Sequence, residues 1–312
     1  MDKIAFVFAG QGSQFQGMGS DLHEEYESVK EVFRKADIIK PGTSKLCFEA
    51  SKEELSITAN TQPCMYTFEM AIATLLEEKG IVPDAVCGFS LGEVCAISYA
   101  GGLSFEKGME YAIFRANAMD SAAGDNPGKM AAILKLDSKV IEDVCSKYED
   151  VWAVNYNCPG QTVISGKAQS VEAVIEECGK LSGKGIMLAV SGAFHSPYMS
   201  SASDAVAKYL ETITPGEIKI PLYTNVTGKV ADYSNIKNLM AEQISSPVLW
   251  SENVESMIAD GVGLFVEIGP GKVLSGLISK INSEVKVCNI QDLKSLELAL
   301  ETIYNFTRAE TI

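Results

Sequence analysis

Ser90 and His195 are the two residues of this chain best suited to nucleophilic chemistry. Ser90 lies in Gly88-Phe89-Ser90-Leu91-Gly92, directly after the apolar run Ala85-Val86-Cys87. That pattern reads as a strand entering a sharp turn with a helix behind it, where two glycines let the backbone bend and expose the serine hydroxyl. A serine hydroxyl is a weak nucleophile at neutral pH and needs a nearby base. Histidine suits that task, with an unperturbed pKa near neutrality. The chain holds only two histidines. His23 falls beside acidic residues on an amphipathic helix and reads as a solvated position, so His195 is the candidate base nearly by elimination. Two simpler readings stay open: Ser90 as a helix N-cap, and His195 as a core imidazole bonded to backbone.

Two further segments bear on that pair. Gly10-Gln11-Gly12-Ser13-Gln14 follows the first apolar run and resembles a loop that exposes backbone N–H groups. Together with the N–H of Leu91, the residue after the serine, such a loop can stabilise an oxyanion. It also reads as a plain strand-to-loop turn, and it is no P-loop, since no Gly-Lys-Ser/Thr follows. Arg115 stands in an apolar helical stretch, and its neighbours one turn away are Tyr111, Ala112, Ala118 and Met119. The helix therefore offers it no carboxylate. A buried arginine needs a partner from the fold or from a ligand, although a structural ion pair or a snorkelling side chain would also serve.

The elements that must position these residues alternate between strand and helix, which predicts an α/β fold with a mainly parallel sheet. Ile4–Phe8 is a buried-type strand. A helix opens at Ser20-Asp21 with Leu22, Tyr26, Val29 and Phe33 on one face, and another runs from about Pro63 to Glu78. The strand and elbow at 85–90 are followed by a helix after Leu91 and one from Ser104 to about Ala122. Gly124-Asp125-Asn126-Pro127-Gly128 is a cluster of turn formers and marks a boundary. Beyond it come strand 130–136, helix 138–148, strands 151–155 and 162–165, helix 170–181 and strand 186–190. That βαββαβ order is the split-βαβ, ferredoxin-like unit. The predicted organisation is a core of residues 1–124 and 193–312 carrying an inserted small domain at 125–192, with core strands resuming at 220–224, 264–268 and 285–290.

Composition narrows the function classes. A net charge of −15 argues against nucleic acid, whose phosphates call for a basic surface. The apolar stretch at 4–9 is too short for a signal peptide, and no run approaches a membrane span. Eight scattered cysteines form no C-x-x-C pair and read as small core residues in a reducing compartment. The expected location is the cytoplasm, with no metal and no cofactor.

Taken together, the segments resemble the malonyl-CoA:acyl carrier protein transacylases of type II fatty acid synthesis and the related polyketide synthase acyltransferase domains. Phe8-Ala9-Gly10-Gln11-Gly12-Ser13-Gln14 is similar to that family's opening motif. Thr61-Gln62-Pro63, the Ser90 elbow with Glu93, Arg115, Asn157-Cys158-Pro159-Gly160-Gln161 and Gly192-Ala193-Phe194-His195-Ser196 follow in the family's order. So do Asn225-Val226-Thr227-Gly228, Gln243 with Ser246-Pro247-Val248, and Glu267-Ile268-Gly269-Pro270-Gly271. The resemblance implies a hydrolase-like core with a ferredoxin-like insert. It implies Ser90 as nucleophile, His195 as general base, Arg115 as the site for a malonyl carboxylate, and oxyanion N–H groups from Gln11 and Leu91. Gln243 would orient His195 through its main-chain carbonyl, and Gln62 and Phe194 would line the substrate pocket. Bulk at Phe194 would crowd an α-methyl branch and so favour malonyl. The family's elbow usually carries histidine before the serine, where this chain has Phe89.

The implied reaction is ping-pong transfer of malonyl from malonyl-CoA through Ser90 to the phosphopantetheine thiol of holo acyl carrier protein, supplying fatty acid synthesis. A monomer is the expected state. An acidic carrier protein would need a local basic patch, for which Lys180, Lys184, Lys272 and Lys280 are candidates. Two rival readings are a serine hydrolase, which has little use for an unpaired arginine in its site, and a non-catalytic carrier-protein scaffold, against which an intact Ser90 and His195 count.

Overall fold

The computed structural model describes residues 2–190 and 192–308, so the predicted core limits at 1 and 312 lie outside the described residues. From the N-terminus, β1 (Lys3–Phe8) precedes α1 (Ser20–Glu25), α2 (Glu27–Ile39), α3 (Thr43–Glu49), α4 (Lys52–Leu55) and α5 (Thr58–Glu78). β2 (Ala85–Gly88) leads through the elbow into α6 (Gly92–Tyr99) and α7 (Phe105–Asp125). Next come β3 (Lys129–Leu134), α8 (Ser138–Cys145), β4 (Val151–Cys158), β5 (Gln161–Gly166), α9 (Ala168–Lys180) and β6 (Lys184–Met187). The rest runs α10 (Ser200–Glu211), β7 (Leu222–Thr224), β8 (Lys229–Val230), α11 (Ile236–Glu242) and α12 (Trp250–Ala259). It ends with β9 (Val262–Ile268), α13 (Val273–Ile281), β10 (Lys286–Ile290) and α14 (Leu293–Arg308).

Among the described residues the strands form two sheets. The larger has the order β10-β9-β1-β2-β7-β8, parallel throughout except for the short β8. Its central strands are buried along nearly their whole length, as expected of parallel strands covered by helices on both faces. The segments after β1, β2, β7 and β9 therefore emerge together at one edge, the carboxyl end where ligands of open parallel sheets gather. The smaller sheet, β4-β5-β3-β6, is antiparallel. One face packs on α8 and α9 through residues such as Ile133, Ile141, Ile164 and Val174. The sheet is tied to the larger unit at β4, where Val248 N–H donates to Val154 O (2.7 Å) and Tyr156 N–H to Val248 O (3.0 Å). Among the described residues no helix is long and apolar enough to cross a membrane.

Several predicted boundaries shift for identifiable reasons. The helix expected from Ser20 is two helices, because Tyr26 is extended (φ −115°, ψ 127°) and separates α1 from α2. The helix expected from Pro63 begins five residues earlier, with the proline inside it. Proline has no N–H for the carbonyl four residues back, and the Lys40 ammonium takes that Ala59 carbonyl instead. α7 continues through Gly124 to Asp125, past the predicted stop at Ala122. β6 ends at Met187, three residues short of the predicted strand, and the chain at 188–190 leaves the sheet to line the site. The helices at 43–55 were not anticipated.

Candidate active site

The elbow after β2 is built by close backbone contact. A Cβ on Gly88 would lie 1.9 Å from the Gly92 carbonyl carbon, and one on Gly92 would lie 2.2 Å from Phe8 O. Only glycine fits either place. Between them Ser90 is forced to φ 53°, a left-handed conformation that residues with a Cβ adopt rarely. His195 shares that conformation, at φ 60°.

Ser90 Oγ lies 2.7 Å from His195 Nε2, although 105 residues separate them in sequence. On the far side of the ring, His195 Nδ1 is 2.9 Å from the main-chain carbonyl of Gln243. A carbonyl can only accept, so Nδ1 carries the proton and Nε2 is left as the acceptor facing the serine hydroxyl. Burial, and next the nearby Arg115 charge, lowers the His195 pKa to about 4, against the opposing Gln243 hydrogen bond. The imidazole is therefore a neutral base at neutral pH. His195 is not the free solvated type that its reference pKa describes.

Arg115 is 1% exposed and its guanidinium spans the site. Nη1 donates to Gln62 Oε1 (2.9 Å), and Nη2 donates to Gln243 Oε1 (3.0 Å) and to Ser90 Oγ (3.2 Å). All three acceptors are neutral oxygens. Among the described residues Arg115 makes no ion pair, and its buried Nε has no partner. Burial lowers its pKa, partly opposed by Tyr111 and Glu93. Glu93 Oε2 instead accepts from Asn225 N–H (2.5 Å), and burial raises that carboxyl to about 8. A cation with spare donors and no counter-charge is thus held beside the serine oxygen.

Two adjoining cavities lie here, the smaller one against Ser90 and His195. The inner one, of about 100 Å³, is lined by Ser90, His195, Phe194, Met119 and Met130 among others. The outer one, of about 370 Å³, reaches Ala132 and Val163 of the small sheet and Val273, Leu274 and Leu277 at α13. Gln11, Phe89, Asn155, Leu188 and Val190 line both and form the neck between them.

The structure brings Ser90, His195, Arg115, Gln62 and Gln243 into one hydrogen-bonded cluster. Gln11 and Phe194 stand at the cavity wall, and Leu91 follows the serine. Among the described residues neither the Gln11 nor the Leu91 N–H has a backbone acceptor. Phe89 turns its ring edge-on to Trp250 at 5.5 Å and makes the neck apolar where the family resemblance led to a polar side chain. His23 departs from expectation: its ring packs on Phe33 and Phe48 at 5.6 and 5.1 Å, half-buried and not solvated. Lys180 pairs with Glu176 and Glu177 on its own helix, while Lys184, Lys272 and Lys280 are exposed. Sequence reasoning assigned no role to the Asn225 side chain, and it missed the side-chain amide of Gln243, which donates to Ser90 O at 2.7 Å. Asn225-Val226-Thr227-Gly228 reads locally as a turn, and nothing in its spacing points across the fold to Ser90.

The acyl transferase domain family matches residues 5–304. A malonyl CoA-acyl carrier protein transacylase of Bacillus subtilis is 40% identical over 311 residues, covering 97% of this chain and 98% of its own length. The crystal structure of the malonyl CoA-acyl carrier protein transacylase from Clostridium perfringens superposes with a TM-score of 0.95 at 36% identity, over 99% of this chain and 100% of that one. A malonyl-transacylase solved in complex with a type II polyketide acyl-carrier protein superposes with a TM-score of 0.93 at 34% identity, covering 96% of this chain and 99% of that one.

Proposed function

The chain belongs to the acyl transferase domain family, among the malonyl CoA-acyl carrier protein transacylases, and on that premise we propose that it moves malonyl from malonyl-CoA to holo acyl carrier protein through a malonyl-Ser90 intermediate. The observation that carries this reading is Arg115: a buried cation with only neutral acceptors, 3.2 Å from Ser90 Oγ. Malonyl differs from other small acyl groups by a carboxylate one methylene from its thioester. A bidentate guanidinium returns to that carboxylate the hydrogen bonds it loses on leaving water, and so sets the thioester against Ser90.

In the first half-reaction Ser90 Oγ attacks the thioester carbon and His195 Nε2 takes the hydroxyl proton. The N–H groups of Gln11 and Leu91 receive the oxyanion. The carbon–sulfur bond then breaks and the imidazolium returns its proton to the departing CoA thiol. In the second, the carrier-protein thiol attacks the malonyl-Ser90 ester while His195 takes the thiol proton, and the ester C–O bond breaks as that proton returns to Ser90 Oγ. The outer cavity and its neck suit the narrow pantetheine arm shared by both thiols, while the inner cavity suits a short acyl group, with Phe194 crowding an α-branch. Gln62 holds Arg115 from the side away from the serine.

The finer architecture belongs to the same proposal: a hydrolase-like core and a ferredoxin-like insert spanning about residues 125–192. The strand order of the small sheet supports it. Eight free cysteines, seven of them buried, support a reducing, cytoplasmic setting. Mixing the protein with malonyl-CoA alone should add one malonyl mass, because the first half-reaction needs no carrier. Ser90→Ala should show none, and a persisting adduct in that variant would place the nucleophile elsewhere.

A further inference from the structure

Asn225 is fully buried, and both ends of its side-chain amide are aimed at the elbow. β2 and β7 pair only as far as Cys87↔Tyr223. Beyond that point the chain turns away from the sheet, so the groups flanking Phe89 have no ladder partner. Asn225, the first residue after β7, supplies both missing partners: Nδ2 donates to Gly88 O (2.7 Å) and Oδ1 accepts from Ser90 N–H (2.8 Å). The residue is 0% exposed, so bulk solvent does not compete for either bond. Its own backbone is fixed on both sides, with its N–H on Glu93 Oε2 (2.5 Å) and its carbonyl accepting from Leu249 N–H (2.9 Å). The amide is therefore preset before it meets the elbow.

We propose that Asn225 is a positioning residue that clamps the nucleophile elbow through both ends of its amide and holds Ser90 in its left-handed turn. The inference rests on Ser90 being the nucleophile proposed above. Ser90 Oγ must satisfy His195 Nε2 and Arg115 at once, and any rotation of the Ser90 backbone moves it off both. The clamp needs one donor and one acceptor in a single planar group. An aspartate has the same shape but turns an oxygen towards the Gly88 carbonyl.

The test measures how fast Ser90 reacts with a fluorophosphonate, in which an O–P bond forms and fluoride leaves, so no acyl donor is involved. Asn225→Asp should be labelled roughly a hundredfold more slowly than the parent at about pH 8, the scale of a misplacement near 1 Å. Burial at this site raises an introduced aspartate above its ordinary range, so towards about pH 5 it protonates and regains a donor for Gly88 O, and the deficit should shrink by roughly tenfold or more. Glu93 on α6, Arg115 on α7 and His195 face this amide, and Asn225→Ala, which adds no carboxylate, is the control for their titration. Asn225→Ala should carry the same deficit at both pH values. Equal melting temperatures for parent and Asn225→Asp separate a misplaced serine from a loosened fold. Labelling of Asn225→Asp within about threefold of the parent at pH 8, or a deficit unmoved by pH, overturns the clamp. A parent that takes the phosphonate but no malonyl group overturns the donor reading and leaves the clamp standing.

Discussion

Helix α7 treats positive charge in opposite ways on its two faces. On the outer face Lys107 Nζ sits 2.7 Å from Glu110 Oε2, one turn away and in solvent. On the inner face Arg115 is buried against Gln62, Gln243 and Ser90 and meets no carboxylate. The outer arrangement recurs on α2, α8 and α9, always within one turn of the same helix. Such pairs are screened by water and contribute little. The inner cation is expensive to bury, and the fold leaves its charge unanswered. Surface charges complete themselves; in the proposed function the interior one is completed by the malonyl carboxylate.

The contrast breaks most visibly if Arg115 is removed. Losing one partner of a buried charge pair costs about 3–5 kcal/mol. Arg115→Ala should therefore cut kcat/KM for malonyl-CoA by roughly two to four powers of ten at ~1.4 kcal/mol each. Acetyl-CoA should hold steady or gain, since an uncompensated cation is gone. A parallel fall for both donors would make Arg115 a structural residue.

Giving the inner cation the counter-charge its outer neighbours enjoy should come next in size. Gln62→Glu places a carboxylate where Oε1 now accepts from Arg115. Malonyl transfer should drop roughly ten- to a hundredfold by competition for the guanidinium, with acetyl transfer spared. Unchanged discrimination between the two donors would mean that the charge on Arg115 does not select.

The acid–base pair offers a smaller readout. With His195 neutral down to about 4, single-turnover acylation should be flat from pH 5 to 8 and fall only as pH approaches 4, where protonation removes the base. Arg115 contributes to that lowering after burial, so Arg115→Ala should move the inflection upward, towards but not as far as the usual histidine value. A parent rate that climbs through pH 6.5 contradicts the buried, neutral imidazole.

The exposed Lys184 and Lys272 should matter only for the carrier protein. Lys184→Glu and Lys272→Glu should weaken transfer to the carrier by a few-fold at low salt and less at high salt. Acylation by malonyl-CoA should stay unchanged, and equal loss in both half-reactions would rule out a docking role. Smallest of all, Lys107→Ala on the outer face of α7 should leave kcat/KM for both donors where it was. A change in donor preference there would dissolve the contrast between the two faces.

Much of the site was legible because its chemistry is written locally. The elbow string, the isolated His195 and an arginine with no carboxylate one turn away are each visible in a few residues. Strand positions in the small sheet were legible for the same reason, since alternation and turn formers are short-range signals. What stayed hidden depends on contacts across the fold. Tyr26 breaks a helix that its apolar spacing continues, and Lys40 makes an internal proline tolerable from outside the helix it rescues. His23 looks polar in sequence and is drawn inward by Phe33 and Phe48. Gln243 was placed by resemblance for its carbonyl alone, yet its side chain also holds Ser90 O and Arg115. A glutamine carries no local mark of three simultaneous partners.

The distances along the chain within this cluster set an order in time. Ser90 meets His195 across 105 residues, Asn225 across 135 and Gln243 across 153. Parallel strands with such separations pair late, because long loops must close before the contacts reward them. On a ribosome the serine is made early and its companions last. At roughly 5–20 residues per second, the 153 residues between Ser90 and Gln243 take roughly eight to thirty seconds to add. For the first 105 of those residues the nascent chain carries a serine with no His195, and for the first 135 a serine with no Asn225. On the proposed reading, full reactivity waits for Asn225 and Gln243, both in the last third of the sequence.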